Sequence, residues 1–165
     1  MNMTEKLPSA PYSDLRLLPS DEGVLLWILR VIDGKPVGSI FSRDSDDYHL
    51  VRLSDSLTIP ASPVVGARGV CLLACSLEEW EDGSWAVEPE EVLVVSGSGD
   101  VLRRGSSRLT RHLCVVTIHR LCDNGDIVCT VADCGGVDSA QYWVCRLNDK
   151  FELVQKETQL GNTSY

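Results

Sequence analysis

Two residue types in this chain could do chemistry at short range, cysteine and histidine. There are seven cysteines, at 71, 75, 114, 122, 129, 134 and 145, and three histidines, at 49, 112 and 119. A nucleophilic thiol needs a base to take its proton. It also needs small neighbours, so that backbone N–H groups can face an oxyanion. Asp133-Cys134-Gly135-Gly136 supplies the small neighbours. His49 lies upstream as the base, and Asp55 or Glu78 could orient it. A metal site needs ligands that converge on one point. Cys71 and Cys75 have a zinc-like spacing, but both fall in one apolar run that reads as a strand. Four extended residues separate them by about 13 Å, too far to share an ion. His119 and Cys122 would point to opposite faces, and His112 and Cys114 have no matching pair. No metal ligand set and no cofactor are expected. The cysteines read as buried free thiols.

Asp133 to Gly136 resembles the Gly/Asp-Cys-Gly-Gly nucleophile turn of picornaviral chymotrypsin-like cysteine proteases. That resemblance implies Cys134 as nucleophile, His49 as base and Asp55 as orienting acid. Those proteases continue with two glycine-rich strands that build the substrate pocket. Here Tyr142-Trp143-Val144-Cys145 offers no such glycines. The protease is therefore the alternative reading.

Pro8-Ser9-Ala10-Pro11 carries the first reading. It is similar to the late-domain tetrapeptide of viral matrix and Gag-type proteins. Such motifs recruit the ubiquitin-conjugating-enzyme-like domain of the endosomal sorting machinery. A proline-bounded stretch is pre-extended and loses little entropy on docking into a groove. The resemblance implies Pro8, Ser9, Ala10 and Pro11 as partner-binding residues and a virion-associated protein. Thr163-Ser164-Tyr165 loosely fits a C-terminal carboxylate motif for PDZ-type domains.

Composition narrows the rest. The 165 residues suffice for one domain with a core, and 44% are apolar. No apolar run approaches the roughly 18 residues of a membrane span, and the N-terminus lacks a signal-peptide pattern. An intracellular, cytoplasmic location is expected. The net charge of −9 disfavours nucleic acid, and allows contact with a membrane only indirectly. The charge is uneven. Glu78 to Glu91 holds seven acidic residues and no basic one, and Arg103, Arg104, Arg108, Arg111 and Arg120 follow. The plain reading is two solvated faces. The sharper readings are self-association through opposite charges and an acidic module for a basic partner.

The elements that would position these residues are strands. Asp33-Gly34 and Asn124-Gly125 are two-residue hairpin signals. Taking Asn124-Gly125 as a type I′ turn sets Cys129 opposite Arg120, Cys122 opposite Ile127 and Cys134 opposite Val115. Val24 to Leu29 is apolar on both faces, which predicts cover on both sides. Ser106 or Ser107 could cap one short helix. No internal repeat is visible. The expected fold is all-β, an antiparallel β-sandwich or partly open barrel built from hairpins, with at most one short helix. Residues 1–20 form a flexible arm, 21–156 the domain and 157–165 a polar tail. The expected function is that of a non-enzymatic structural or interaction protein that self-associates and binds protein partners.

Overall fold

The computed structural model describes residues 6–54, 56–136 and 139–164 (at 157–159 and 161–164 the backbone only). The described residues form twelve strands and no helix. The first sheet holds β1 (Asp14–Ser20), β2 (Gly23–Ile32), β3 (Lys35–Asp44) and β4 (Asp47–Leu50). The second holds β5 (Val64–Gly66), β6 (Gly69–Glu79), β7 (Trp85–Val95) and β8 (Val101–Ser106). The third holds β9 (Leu113–Leu121), β10 (Ile127–Asp133), β11 (Ser139–Leu147) and β12 (Leu153–Ser164). Every pairing is antiparallel, and in each sheet the strands lie side by side in chain order. The all-β fold expected from the sequence is present, with sheets packed as in a sandwich. No sheet closes into a barrel.

Alternation along the strands explains the packing. On β2, Leu25 and Trp27 join Ile40, Leu72, Ala74, Leu93 and Val95 in a core between the first and second sheets. Cys71, Val92 and Val94, the intervening residues of β6 and β7, join Val115, Ile127, Cys129, Val131, Cys145 and Leu147 between the second and third. The central stretches of the second sheet, Val70 to Cys75 on β6 and Val92 to Val95 on β7, are thus covered on both faces. That is why these two stretches read as continuous apolar runs rather than as alternation. β2 is likewise covered on both sides. Leu26 and Ile28 face outward and pack with Phe41 beneath Leu7 and Tyr12.

Turn chemistry sets the registers. Asp33 and Gly34 both have positive φ, 53° and 78°, so the β2–β3 turn is the expected I′ type. Asn124-Gly125 behaves differently. The Cys122 N–H donates to the Asp126 carbonyl at 2.8 Å and the Gly125 N–H to that of Cys122 at 2.9 Å. Gly125 alone occupies the left-handed region, at φ 92°. This is a type I turn followed by a bulge, and Asn124 Oδ1 accepts the Asp126 N–H at 3.0 Å. Two further register shifts follow along β9–β10. As a result Val128, not Cys129, lies opposite Arg120, Leu121 rather than Cys122 faces Ile127, and Val131 rather than Cys134 faces Val115. The same five-residue turn recurs at 80–84, 96–100 and 148–152. Its left-handed position is held by Gly83, Gly99 and, in the last, Phe151 at φ 62°.

Three boundaries differ from expectation. Residues 14–20, assigned to the arm, form β1, paired along its whole length with β2. Leu15 and Leu17 are the apolar signal there, diluted by Arg16 and Pro19. Residues 157–164, assigned to the tail, continue β12 against β11. The segment after Ser106 forms no helix. Arg108 bridges Cys114, and the Val115 N–H donates to the Ser107 carbonyl at 2.8 Å.

Candidate functional site

Cys134 is exposed at the exit from β10. Its N–H donates to the His112 carbonyl at 2.9 Å, which sets these two residues opposite one another. The following amide is already used, since the Gly135 N–H donates to Asp133 Oδ1 at 3.0 Å. An amide held by its neighbour's carboxylate is not aimed at an oxyanion. His49 lies on β4 in the first sheet, opposite Ser42. Glu78 lies on β6 in the second sheet, opposite Ala86, and Asp55 lies outside the described residues. The second sheet packs between the sheets that carry His49 and Cys134. The structure does not bring Cys134, His49 and Glu78 together. The histidine it does bring to Cys134 is His112. The sequence register hid this, because the turn and the two bulges move the pairing by three residues.

The remaining thiols are set by burial. Cys71 and Cys129 sit in the core between the second and third sheets, and desolvation pushes each up to about 12. Cys75 is also pushed up to about 12, by desolvation first and then by the neighbouring Cys114 and glutamates. Cys114 is raised for the same leading reason. Burial at these positions favours the neutral thiol over the reactive thiolate. Among the described residues no group of three histidine, cysteine or acidic side chains converges for a metal. His119 Nε2 lies 2.6 Å from Thr130 Oγ1, a satisfied polar pair on the outer face of the third sheet.

His49 instead lines an open cleft of about 600 Å³ with Glu22, Ser42, Arg43, Arg52 and Ser98. Its charges are mixed. Arg43 is engaged by the Ser45 carbonyl at 3.1 Å and by the Tyr48 ring at 6.0 Å.

Glu78 to Glu91 forms the distal half of the β6–β7 hairpin, with a bulge between Pro89 and Glu91 opposite Ala74 and Cys75. Part of its charge is answered within the chain, where Arg104 Nε lies 3.8 Å from Glu91 Oε1. At the tip, Asp82 accepts the Ser84 hydroxyl and N–H, which lowers its pKa. Trp80 beside it is 59% exposed.

Pro8 to Pro11 is an exposed arch on the first sheet. Ser9, Ala10 and Pro11 face solvent. Leu7 and Tyr12 fasten both ends to Leu26, Ile28 and Phe41. The Tyr12 hydroxyl donates to the Pro8 carbonyl at 2.5 Å. Leu7 and Tyr12 as anchors were missed from sequence. An apolar residue on each side of a proline-bounded tetrapeptide was the available signal.

Comparison with protein-family models, with curated proteins and with solved structures gives no match. No helix among the described residues is long and apolar enough to cross a membrane.

Proposed function

We propose that the protein is a non-catalytic interaction protein, of the kind of a viral matrix protein. Its folded body self-associates and its Pro8–Pro11 arch recruits a protein partner of the endosomal sorting machinery. The observation that carries this reading is the arch itself. Ser9, Ala10 and Pro11 are exposed between one anchor on either side, Leu7 and Tyr12. A partner meets a short proline-bounded surface that has already lost much of its chain entropy. The test is binding of the full chain, and of a peptide spanning residues 7–15, to the ubiquitin-conjugating-enzyme-like sorting domain. Pro11→Ala is expected to abolish binding in both. Equal binding by wild type and Pro11→Ala, or none by either, overturns the reading.

A second reading rests on Trp80, an exposed indole between Glu78, Glu79, Glu81 and Asp82. An aromatic ringed by carboxylates suits a basic peptide. Binding of a lysine- and arginine-rich peptide that falls steeply with salt and is lost in Trp80→Ala supports it. Salt-insensitive binding contradicts it.

A further inference from the structure

The β6–β7 hairpin runs past the cores that flank it. Cys71, Leu73, Val92 and Val94 pack on the side of the third sheet, and Leu72, Ala74, Leu93 and Val95 on the side of the first. Neither core includes Leu77 or Val87, which lie directly opposite one another farther along the hairpin. Alternation from Cys71 and Leu73 puts Leu77 on the side of the third sheet, and Val87, its cross-strand partner, with it. Leu77 is half-buried and Val87 is 41% exposed. From Cys75 to Trp80 this overhang extends by about 16 Å, at about 3.3 Å per residue.

Charge divides the overhang from its base. Past Leu77 the hairpin carries Glu78, Glu79 and Glu81, all exposed. At the base runs the 107–112 connection, which packs through Leu109 against the core beside the third sheet. It is fastened to the hairpin where the Ser107 N–H donates to the Glu90 carbonyl at 2.9 Å. The connection holds Arg108 and Arg111 out to solvent. Arg108 donates to the Arg111 carbonyl at 3.4 Å, which keeps the two together. Among the described residues neither arginine forms an ion pair, and neither do Glu78, Glu79 and Glu81. A basic pair and an acidic tip thus lie on either side of an apolar pair, each without a countercharge.

A chain of net charge −9 repels its own copy unless acidic and basic groups meet where the copies touch. The overhang and its base meet that condition under a two-fold axis, because each copy then presents its acids to the bases of the other. We propose that this surface is a two-fold dimer interface. The overhangs of two copies cross at Leu77 and Val87, and Glu78, Glu79 and Glu81 of each copy reach Arg108 and Arg111 of the other. An apolar centre inside a charged rim is the ordinary anatomy of a specific contact. Both ends of the surface are used, so the assembly stops at the dimer. The basic segment that meets the acidic tip is supplied by the chain itself. The Pro8–Pro11 arch and its anchors on the first sheet take no part and stay in place. This proposal deepens the self-association in the reading above and rests on it.

The test is sedimentation velocity on the full chain with reversed charges. The expected species has twice the 18.1 kDa monomer mass. Arg108→Glu with Arg111→Glu makes both ends acidic, and Glu79→Lys with Glu81→Lys makes both ends basic. Each double variant alone should be a monomer. Mixed in equal amounts, the two should recover a dimer, because every contact again pairs opposite charges. Circular dichroism reports whether each variant folds, and Arg111→Glu mixed with Glu79→Lys is the milder pair if either double variant does not. A wild-type monomer at every concentration overturns self-association and this interface together. A dimer that either double variant keeps overturns the interface and leaves self-association standing. A dimer lost in both and not recovered on mixing also overturns the reciprocal pairing.

Discussion

Arg103 lies over the ring of Phe151, 5.5 Å from its centroid, and from there holds two hairpin turns at once. One guanidinium nitrogen donates to the Asp149 carbonyl at 2.7 Å and another to the Gly125 carbonyl at 2.9 Å. Phe151 is the one residue that takes the left-handed place filled by glycine in the three sister turns. Its ring fills the space a side chain at Gly105 would need, since a Cβ there would stand 2.5 Å from it. A bulky residue at positive φ costs on the order of 1–3 kcal/mol, which the packing on β8 and the cation above it offset.

Arg103→Ala should therefore destabilise the fold by about 2 kcal/mol. Two charge-assisted bonds are lost, discounted because the side chain is half exposed. Arg103→Lys should recover less than half of this, because an ammonium cannot span both carbonyls as a planar fork does. Urea unfolding checks both. In a double-mutant cycle, Phe151→Gly should cost about 1 kcal/mol less in the Arg103→Ala background than in wild type. Additive losses would show that the ring and the cation act separately.

Gly38 is fixed by a close approach rather than by its φ. A Cβ at this position would stand 1.7 Å from the Ile59 carbonyl oxygen. That oxygen accepts the buried Trp27 indole N–H at 2.9 Å, and the Ile59 N–H donates back to the Gly38 carbonyl at 3.1 Å. The Gly38 N–H donates to Thr58 Oγ1 at 2.6 Å. Gly38→Ala must push the connection 51–63 off the first sheet and strip Trp27 of its acceptor. The expected cost is about 3–5 kcal/mol, read by urea unfolding and by a shift of the indole emission. Thr58→Val leaves one buried N–H without an acceptor and should cost about 1–3 kcal/mol. A Gly38→Ala protein as stable as wild type would show that this connection is not held as described.

The contrast between these sites and the sequence is instructive. Val24 to Leu29 and the run that holds Cys71 and Cys75 announced strands because apolar runs of that length have few other uses. Asp33-Gly34 announced its turn because both residues tolerate positive φ. Asn124-Gly125 carries the same signal, yet it closes a different turn. Gly125 alone takes positive φ, and Asn124 serves through its side chain. Nothing local distinguishes the two outcomes; the turn moves the register by one residue and the two β9–β10 bulges by two more, which carries Cys134 from Val115 to His112. Pro36 has no N–H to give to a neighbouring strand, and it lies beyond the reach of β4, which pairs only with Phe41–Asp44. The three-fold repetition of the sheets left no mark in the residues, since a four-strand meander needs only alternation and turns, and many sequences provide both. Gly38 gave no warning, because its role is set by a residue twenty-one positions away.

Thiol reactivity follows from the same burial. Cys134 is exposed, Cys114 is half exposed, and Cys71, Cys75, Cys122, Cys129 and Cys145 are buried. A disulfide-exchange reagent added to the native protein at pH 8 should therefore modify one thiol rapidly and a second slowly. All seven should react only after denaturation. Cys134→Ser should remove the rapid phase and leave stability within about 0.5 kcal/mol of wild type. Peptide bonds in casein should remain uncut by the wild-type chain, because His49 and Cys134 lie on sheets that do not meet. Loss of a measurable proteolytic activity in both His49→Ala and Cys134→Ser would contradict this placement.

The buried thiols also set a pH dependence whose sign is fixed. In the unfolded chain each thiol ionises near its ordinary value of 9.0, whereas in the fold Cys71, Cys75 and Cys129 keep the proton to about 12. Between those limits the native state binds more protons than the unfolded state, so stability falls as pH rises. Below about pH 8 both states are protonated and these groups impose no slope. Each thiol contributes about 1.4 kcal/mol per pH unit above 9, and the three together about 4 kcal/mol per unit. Urea midpoints should be level from pH 7 to 8 and decline steeply from 9. Cys129→Ala removes one of the three and should reduce the slope by about 1.4 kcal/mol per unit, whatever its effect on stability at pH 7. A slope unchanged in Cys129→Ala would assign the alkaline loss to tyrosines and lysines, and would mean that the core between the second and third sheets admits water to its thiols.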